Sequence, residues 1–172
     1  YTLSCDCSQG PPVSKVDHAL KVLPFEVAAP YADTQIAYRN GPYRIYYDAY
    51  RQWAASPAEL VRREIVDCFR AYDVFTRVFG AGASGDDVRY NVTAAVREFA
   101  ELNKGGKRFA VLDMEFVFTD TVTDRRLSVS TVSRVEARGD SDLSGLAAAM
   151  SEALEHASRK AVQRFAETLP KG

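Results

Sequence analysis

Histidine, cysteine and tryptophan are scarce in this chain, at two, three and one in 172 residues. Two histidines, His18 and His156, leave little material for a histidine-based catalytic centre, and neither lies in a nucleophile elbow or an HExxH pattern. A metal site built on Cys5, Cys7 and His18 lacks a fourth ligand at a usable spacing. No apolar run is long enough to cross a membrane as a helix. No block of lysine and arginine occurs, and 22 basic residues face 23 acidic ones. That balance supplies no long-range pull toward nucleic acid, so no nucleic-acid partner is expected. Residues 1–14 are polar and contain Pro11 and Pro12, which is no signal peptide. Any targeting segment is expected upstream.

What the chain does have is ordinary globular material. Apolar residues make up 47% and charged residues 26%, at a length that suits one domain with a real core. The expected organisation is a single domain over residues 1–172, with residues 1–17 as an extended N-terminal arm. Cys5 and Cys7 stand too close together to bridge each other. A link from either to Cys68 is allowed in an oxidising compartment. The helical pattern around Cys68 favours instead a small buried apolar residue without a bond.

The segment from Ala19 to Val27 reads as a strand, with Pro24 marking an edge or a bulge. Gln35–Arg39 and Tyr43–Tyr47 flank Asn40-Gly41, a hairpin signal, although Pro42 disturbs it. Ser56, Pro57 and Glu59 form a helix start: a cap, a first-turn proline and a capping-box acid. That helix runs to about Tyr72 with Val61, Ile65, Cys68, Phe69 and Tyr72 on one face. Arg62, Arg63 and Asp67 are expected in solvent, with Glu59 and Arg63 as an i,i+4 pair. Val74–Phe79 is a short strand and 80–87 a loop.

From Val88 onward the apolar period becomes two, slips near Ala95 as a bulge does, and resumes at Val96. Turns at Lys104–Gly106 and Asp120–Asp124 separate three long strands, an antiparallel meander. N-cap candidates at 140–144 then open a long helix to about Leu169. Its stripe is Leu143, Leu146, Ala147, Met150, Leu154, Ala157, Ala161 and Phe165, and Pro170 and Gly172 end it. The fold class is α/β (α+β): a mixed, largely antiparallel sheet with two long amphipathic helices packed on it, in the order strands, helix, strands, helix.

Several motifs invite a chemical reading and fail it. Gly80, Gly82 and Gly85 match GxGxxG, but Asp86, Asp87 and a strand follow where a phosphate-binding helix is needed. The acid pairs Asp86/Asp87 and Asp113/Glu115 read as turn and strand-surface charge. The sequon at Asn91 lies inside a strand. No catalytic residue, cofactor or metal is expected. The densest constellation is aromatic, with Tyr43, Tyr46, Tyr47, Tyr50 and Trp53 interleaved with Arg44 and Arg51. Such a segment serves either as a partner-binding platform or as core leading into the helix.

In this order the residues resemble the ABC-type transport auxiliary lipoproteins, the PqiC-like group. Tyr1-Thr2-Leu3 resembles the Tyr-x-Leu after that family's lipidated cysteine. Val27-Ala28-Ala29-Pro30-Tyr31 through Ile36-Ala37-Tyr38-Arg39 resembles its next segment, a Pro-Tyr followed by Ile-x-Tyr-Arg. Tyr47 to Trp53-Ala54 resembles the one before its proline-led helix, and Phe75–Val78 and Ala149-Met150-Ser151 follow in order. The resemblance implies a periplasmic domain lipid-anchored to the outer membrane. It implies partners in an MCE-domain protein and ABC transporter subunits, and a non-catalytic docking role in lipid or organic-solvent traffic. A homo-oligomer is allowed. The alternatives are a periplasmic lipid-binding carrier and, further off, a small hydrolase. One departure stands out: Cys5 and Cys7 follow Tyr-x-Leu instead of preceding it, and Thr2-Leu3-Ser4-Cys5 is a poor lipobox, so the lipidated cysteine is expected upstream.

Overall fold

The computed structural model describes residues 1–80, 82–139 and 142–170. It shows an eight-stranded mixed sheet and two helices in the order the sequence implies. Strand β6 (Val88–Lys104) is the spine of the sheet. On one flank it pairs antiparallel with β7 (Lys107–Asp120), which pairs antiparallel with β8 (Arg126–Glu136). On the other flank three short strands share its length, each parallel to it: β1 (Ala19–Val22), β2 (Glu26–Val27) and β3 (Gln35–Arg39). Strand β4 (Tyr46–Gln52) adds antiparallel to β3, and β5 (Val78–Phe79) adds parallel to β1.

Helices α1 (Pro57–Tyr72) and α2 (Leu143–Thr168) cover one face of this sheet. Period-two patterning explains which face. Val92, Ala94, Val96, Leu112, Met114, Phe116 and Phe118 are buried, whereas Thr93, Ala95, Asp113, Glu115 and Val117 between them are only half-buried. All eight residues of the expected α2 stripe are buried. Small side chains such as Ala153, Ala157 and Ala161 sit at zero or near-zero exposure and let α2 approach closely. At its far end Phe165 stacks on Phe118, with ring centroids 4.4 Å apart, and meets Tyr90 edge-on.

The local signals act largely as the sequence implies. The Ser56 hydroxyl accepts the Glu59 N–H and Pro57 occupies the first turn of α1. Gly105 and Gly106 both have positive φ, which the two-residue turn between β6 and β7 requires. The bulge in β6 falls between Val96 and Glu98. Of the cap candidates before α2, Asp142 is the one that caps, and Asp140 and Ser141 lie outside the described residues. The same holds for Gly172 and for Ala81 of the glycine-rich loop.

Other expectations need correction. Pro24 does not bulge one strand but divides it into β1 and β2, because it offers no N–H to the ladder. The carbonyls left at that break, Val22 and Leu23, are met by Arg62, so this arginine is half-buried instead of solvated. Beyond Asn40-Gly41 the pairing starts at Tyr46, opposite Tyr38, so Tyr43 belongs to a longer loop instead of a strand. Of the strand expected at 74–79 only Val78–Phe79 forms, with a single Val16–Phe75 bridge before it. Arg63 turns to Thr2 and Glu64, not to Glu59.

Candidate docking surface

The aromatic segment does not form one platform. Trp53 is buried against Phe99 in an edge-to-face contact at 5.2 Å. Tyr46 stacks on Tyr38 at 5.3 Å, with the Arg44 guanidinium 5.7 Å from the Tyr46 ring centre. The Tyr47 hydroxyl donates to the Pro30 carbonyl at 2.9 Å. Two members are left in solvent: Tyr43, 99% exposed, in the β3–β4 loop, and Tyr50, 95% exposed, in β4. The structure therefore divides the segment into core (Trp53), a surface pair (Tyr46 and Tyr47) and two open rings.

Tyr50 is presented by an irregularity of β4. Ala37 pairs with Tyr47 but Gln35 pairs with Gln52, so residues 48–51 outnumber their partners and bow out. Asp48 holds this bow by accepting the N–H groups of Tyr50 and Arg51 at 2.9 Å and the Arg51 guanidinium at 2.6 Å. Burial pushes the Asp48 carboxyl up, but those donors outweigh it and hold it below its ordinary value. Ahead of β3, burial raises the Tyr31 phenol, with Glu98 adding to the effect. Glu98 itself pairs with Arg39 at 2.6 Å.

The second notable surface is the N-terminal arm. It runs along the groove between α1 and α2. Leu3 is buried, and Leu3, Cys5 and Cys7 turn inward while Ser4, Asp6 and Ser8 stay exposed. The arm has no strand partner there. Its N–H groups at Ser4, Cys5 and Asp6 donate instead to Ser151 of α2 (3.0 Å), Glu64 of α1 (2.9 Å) and Glu155 of α2 (2.6 Å). Buried Glu64 is thereby supplied with a donor, which a buried carboxylate requires.

Cys7 is bonded to Cys68, with Cα atoms 5.0 Å apart. This corrects the expectation of an unbonded Cys68. The cysteine is indeed fully buried on α1, but the arm laid in the groove brings Cys7 within bridging distance. Cys5 is free, and its thiol is held well above the ordinary value by burial, then by Glu64 and Glu155. A raised thiol of this kind is unreactive at neutral pH.

The two histidines stand apart from each other. His156 lies 4.0 Å from Glu152 on the exposed side of α2, and His18 meets Tyr90 edge-on in a separate region. Among the described residues no cluster of histidine, cysteine and carboxylate could hold a metal ion. None of the described helices is long and apolar enough to span a membrane. A groove of about 490 Å³ runs beside α1, floored by Phe25 and Val66 and rimmed by Arg62 and Arg70, and it lies open to solvent.

The model of the ABC-type transport auxiliary lipoprotein component matches residues 1–162. The chain belongs to that family. Among solved structures, this auxiliary component is similar to protein XCC0632 from Xanthomonas campestris, of family DUF330, at a TM-score of 0.84 and 18% identity. That match covers 98% of this chain and 95% of the other. A crystal structure of an uncharacterized protein aligns at TM-score 0.72 and 13% identity, covering 96% and 99% of the two chains. The hypothetical protein CT253 from Chlamydia trachomatis aligns at 0.56 and 9%, covering 88% and 96%. At these identities the likeness is one of fold. No curated protein matches the auxiliary component by sequence.

Neither the three side-chain acceptors under the arm nor the disulfide was identified from sequence. Glu64, Ser151 and Glu155 look like ordinary polar positions of amphipathic helices. The available signal was the alternation Leu3, Cys5, Cys7, which marks an extended segment with one buried side.

Proposed function

We propose that this auxiliary lipoprotein is a non-catalytic docking subunit. In this reading it is tethered to the outer membrane through a lipidated cysteine upstream of Tyr1. It joins an MCE-domain protein and its ABC transporter during lipid or organic-solvent traffic. The observation that carries the docking part is Tyr50, an almost fully exposed aromatic ring on the bowed edge strand β4. Exposed tyrosines on a rigid scaffold are efficient partner anchors, because they bring a large contact area with few rotatable bonds. The Asp48 bonds fix the backbone that presents the ring. The Cys7–Cys68 bond suits an oxidising compartment such as the periplasm.

The test is capture of the MCE-domain protein produced with this chain. Wild-type protein should retain it, and Tyr50→Ala should weaken retention by roughly tenfold or more, the size of a binding hot spot. Equal retention by both variants would remove β4 from the interface. No retention by either the soluble or the acylated form would sink the docking role. Self-association is measured on the same samples by light scattering.

A further inference from the structure

The path of the arm fixes where the chain leaves the domain. Lys15 meets Asp73 at the C-terminal end of α1, whereas the Tyr1 ammonium donates to the Gln52 carbonyl and the Ala54 N–H to the Tyr1 carbonyl. The Tyr1 hydroxyl reaches Asp142, the cap of α2. The Tyr1 end of the arm thus faces the end of the domain where α2 begins. The β3–β4 loop and the β6–β7 turn share this pole, joined by the Asn103–Asn40 bond of 3.1 Å. Arg108 at the base of that turn donates to the Asp142 carbonyl at 3.3 Å.

We propose that this pole, with Tyr43, Arg44, Lys104 and Lys107, lies against the lipid headgroups of the membrane that holds the chain. The proposal rests on the lipid-anchor reading above. Tyr43 is 99% exposed, and a tyrosine ring, apolar with a polar tip, suits the boundary between headgroups and acyl chains. Lys104 has no ion-pair partner among the described residues, and Lys107 has only the exposed Glu136. Together these features complement an anionic lipid surface. The opposite pole exposes Val122 in the β7–β8 turn, but Asp86, Asp87 and Asp124 stand there among the arginines, and the N-terminal arm does not end there. A lipid tether alone limits distance and leaves the domain free to tumble. Contact through this pole sets its orientation.

The experiment attaches the chain by an N-terminal hexahistidine tag to vesicles carrying a chelator lipid, made of phosphatidylethanolamine and phosphatidylglycerol. An environment-sensitive dye is placed at Tyr43→Cys or, as control, Val122→Cys, each with Cys5→Ser. Both labelled positions lie in solvent, so folding is retained. On tethering, the dye at 43 should brighten about two-fold and be quenched by brominated acyl chains, while the dye at 122 stays unchanged. Arg44→Glu with Lys104→Glu should cut the fraction of quenched dye at 43 by roughly tenfold. An unchanged signal at 43, or a response at 122, overturns the proposal. So does a dye at 43 that responds only when an MCE-domain protein is added, which would assign the pole to a protein. A response that charge reversal leaves unaltered overturns the headgroup contact. The anchor reading is tested separately, by palmitate incorporation into the full-length protein in cells. The chelator tether works whether or not that incorporation occurs.

Discussion

Cys7 and Cys68, 61 residues apart in sequence and 5.0 Å apart at Cα, make the extended arm and helix α1 one covalent unit. Closing a loop of that length restricts the unfolded chain. Cys7→Ser should therefore lower unfolding free energy by roughly 2–4 kcal/mol, read as a reduced urea midpoint under oxidising conditions. Under reducing conditions wild type and variant should converge. Persistent separation there would mean that the serine acts by some route other than the lost bond.

Glu64 offers a carboxylate to the Cys5 N–H in place of a neighbouring strand. Glu64→Ala should leave that donor without a partner and free the middle of the arm, at about 1–3 kcal/mol. Amide hydrogen exchange should accelerate at residues 4–6 while β6 and β7 remain protected. Unaltered exchange in the arm would show that Glu64 does not hold it.

Acid should weaken the fold through Asp120. Arg89 grips this carboxylate with two bonds, 3.2 and 2.9 Å, and holds it well below the usual carboxylate range. An acid with a depressed folded value stabilises the fold above its unfolded value of about 4 and loses that contribution as pH falls through the folded one. Urea midpoints should therefore fall below about pH 4, and Asp120→Asn should flatten that decline. At the alkaline end Cys5 acts with the opposite sign. Its thiol is raised, so stability should fall once pH passes the unfolded thiol value of about 8.5, and Cys5→Ser should remove that slope.

Phe165 closes the far end of the core against Phe118, Phe75 and Tyr90. Phe165→Ala should cost about 3–5 kcal/mol. Tyr43→Ala and Tyr50→Ala remove rings that touch little and should stay within about 0.5 kcal/mol of wild type. Thermal unfolding of the three variants side by side distinguishes core from surface within the aromatic inventory.

Gly145, in the first turn of α2, lies directly against the Arg138 carbonyl, leaving no room for a Cβ. Gly145→Ala should destabilise by about 1–3 kcal/mol although alanine is the better helix former. A stabilised variant would show that the preceding segment moves aside without cost.

Local signals were legible because they act over a few residues. Ser56, Pro57 and Glu59 open α1, the paired glycines 105 and 106 turn β6 into β7, and the period-four stripe of α2 is buried as its spacing implies. Long-range relationships were not. Three short strands lie parallel along one side of β6, and nothing in residues 19–39 announces that shared partner. The aromatic segment was visible as a cluster, but its division depended on the bow at 48–51, which only the pairing of Gln35 with Gln52 reveals. Cys68 had the helical environment of a core residue, and its bond depends on where the arm lies, which helix periodicity does not encode.

The arm also governs how the domain answers a pull on its N-terminal end. A load applied ahead of Tyr1 can peel away only the six residues before Cys7, roughly 20 Å of extended chain. Beyond that, the cross-link passes the strain directly into α1. The N-terminal end thus has a short elastic lead followed by a hard stop.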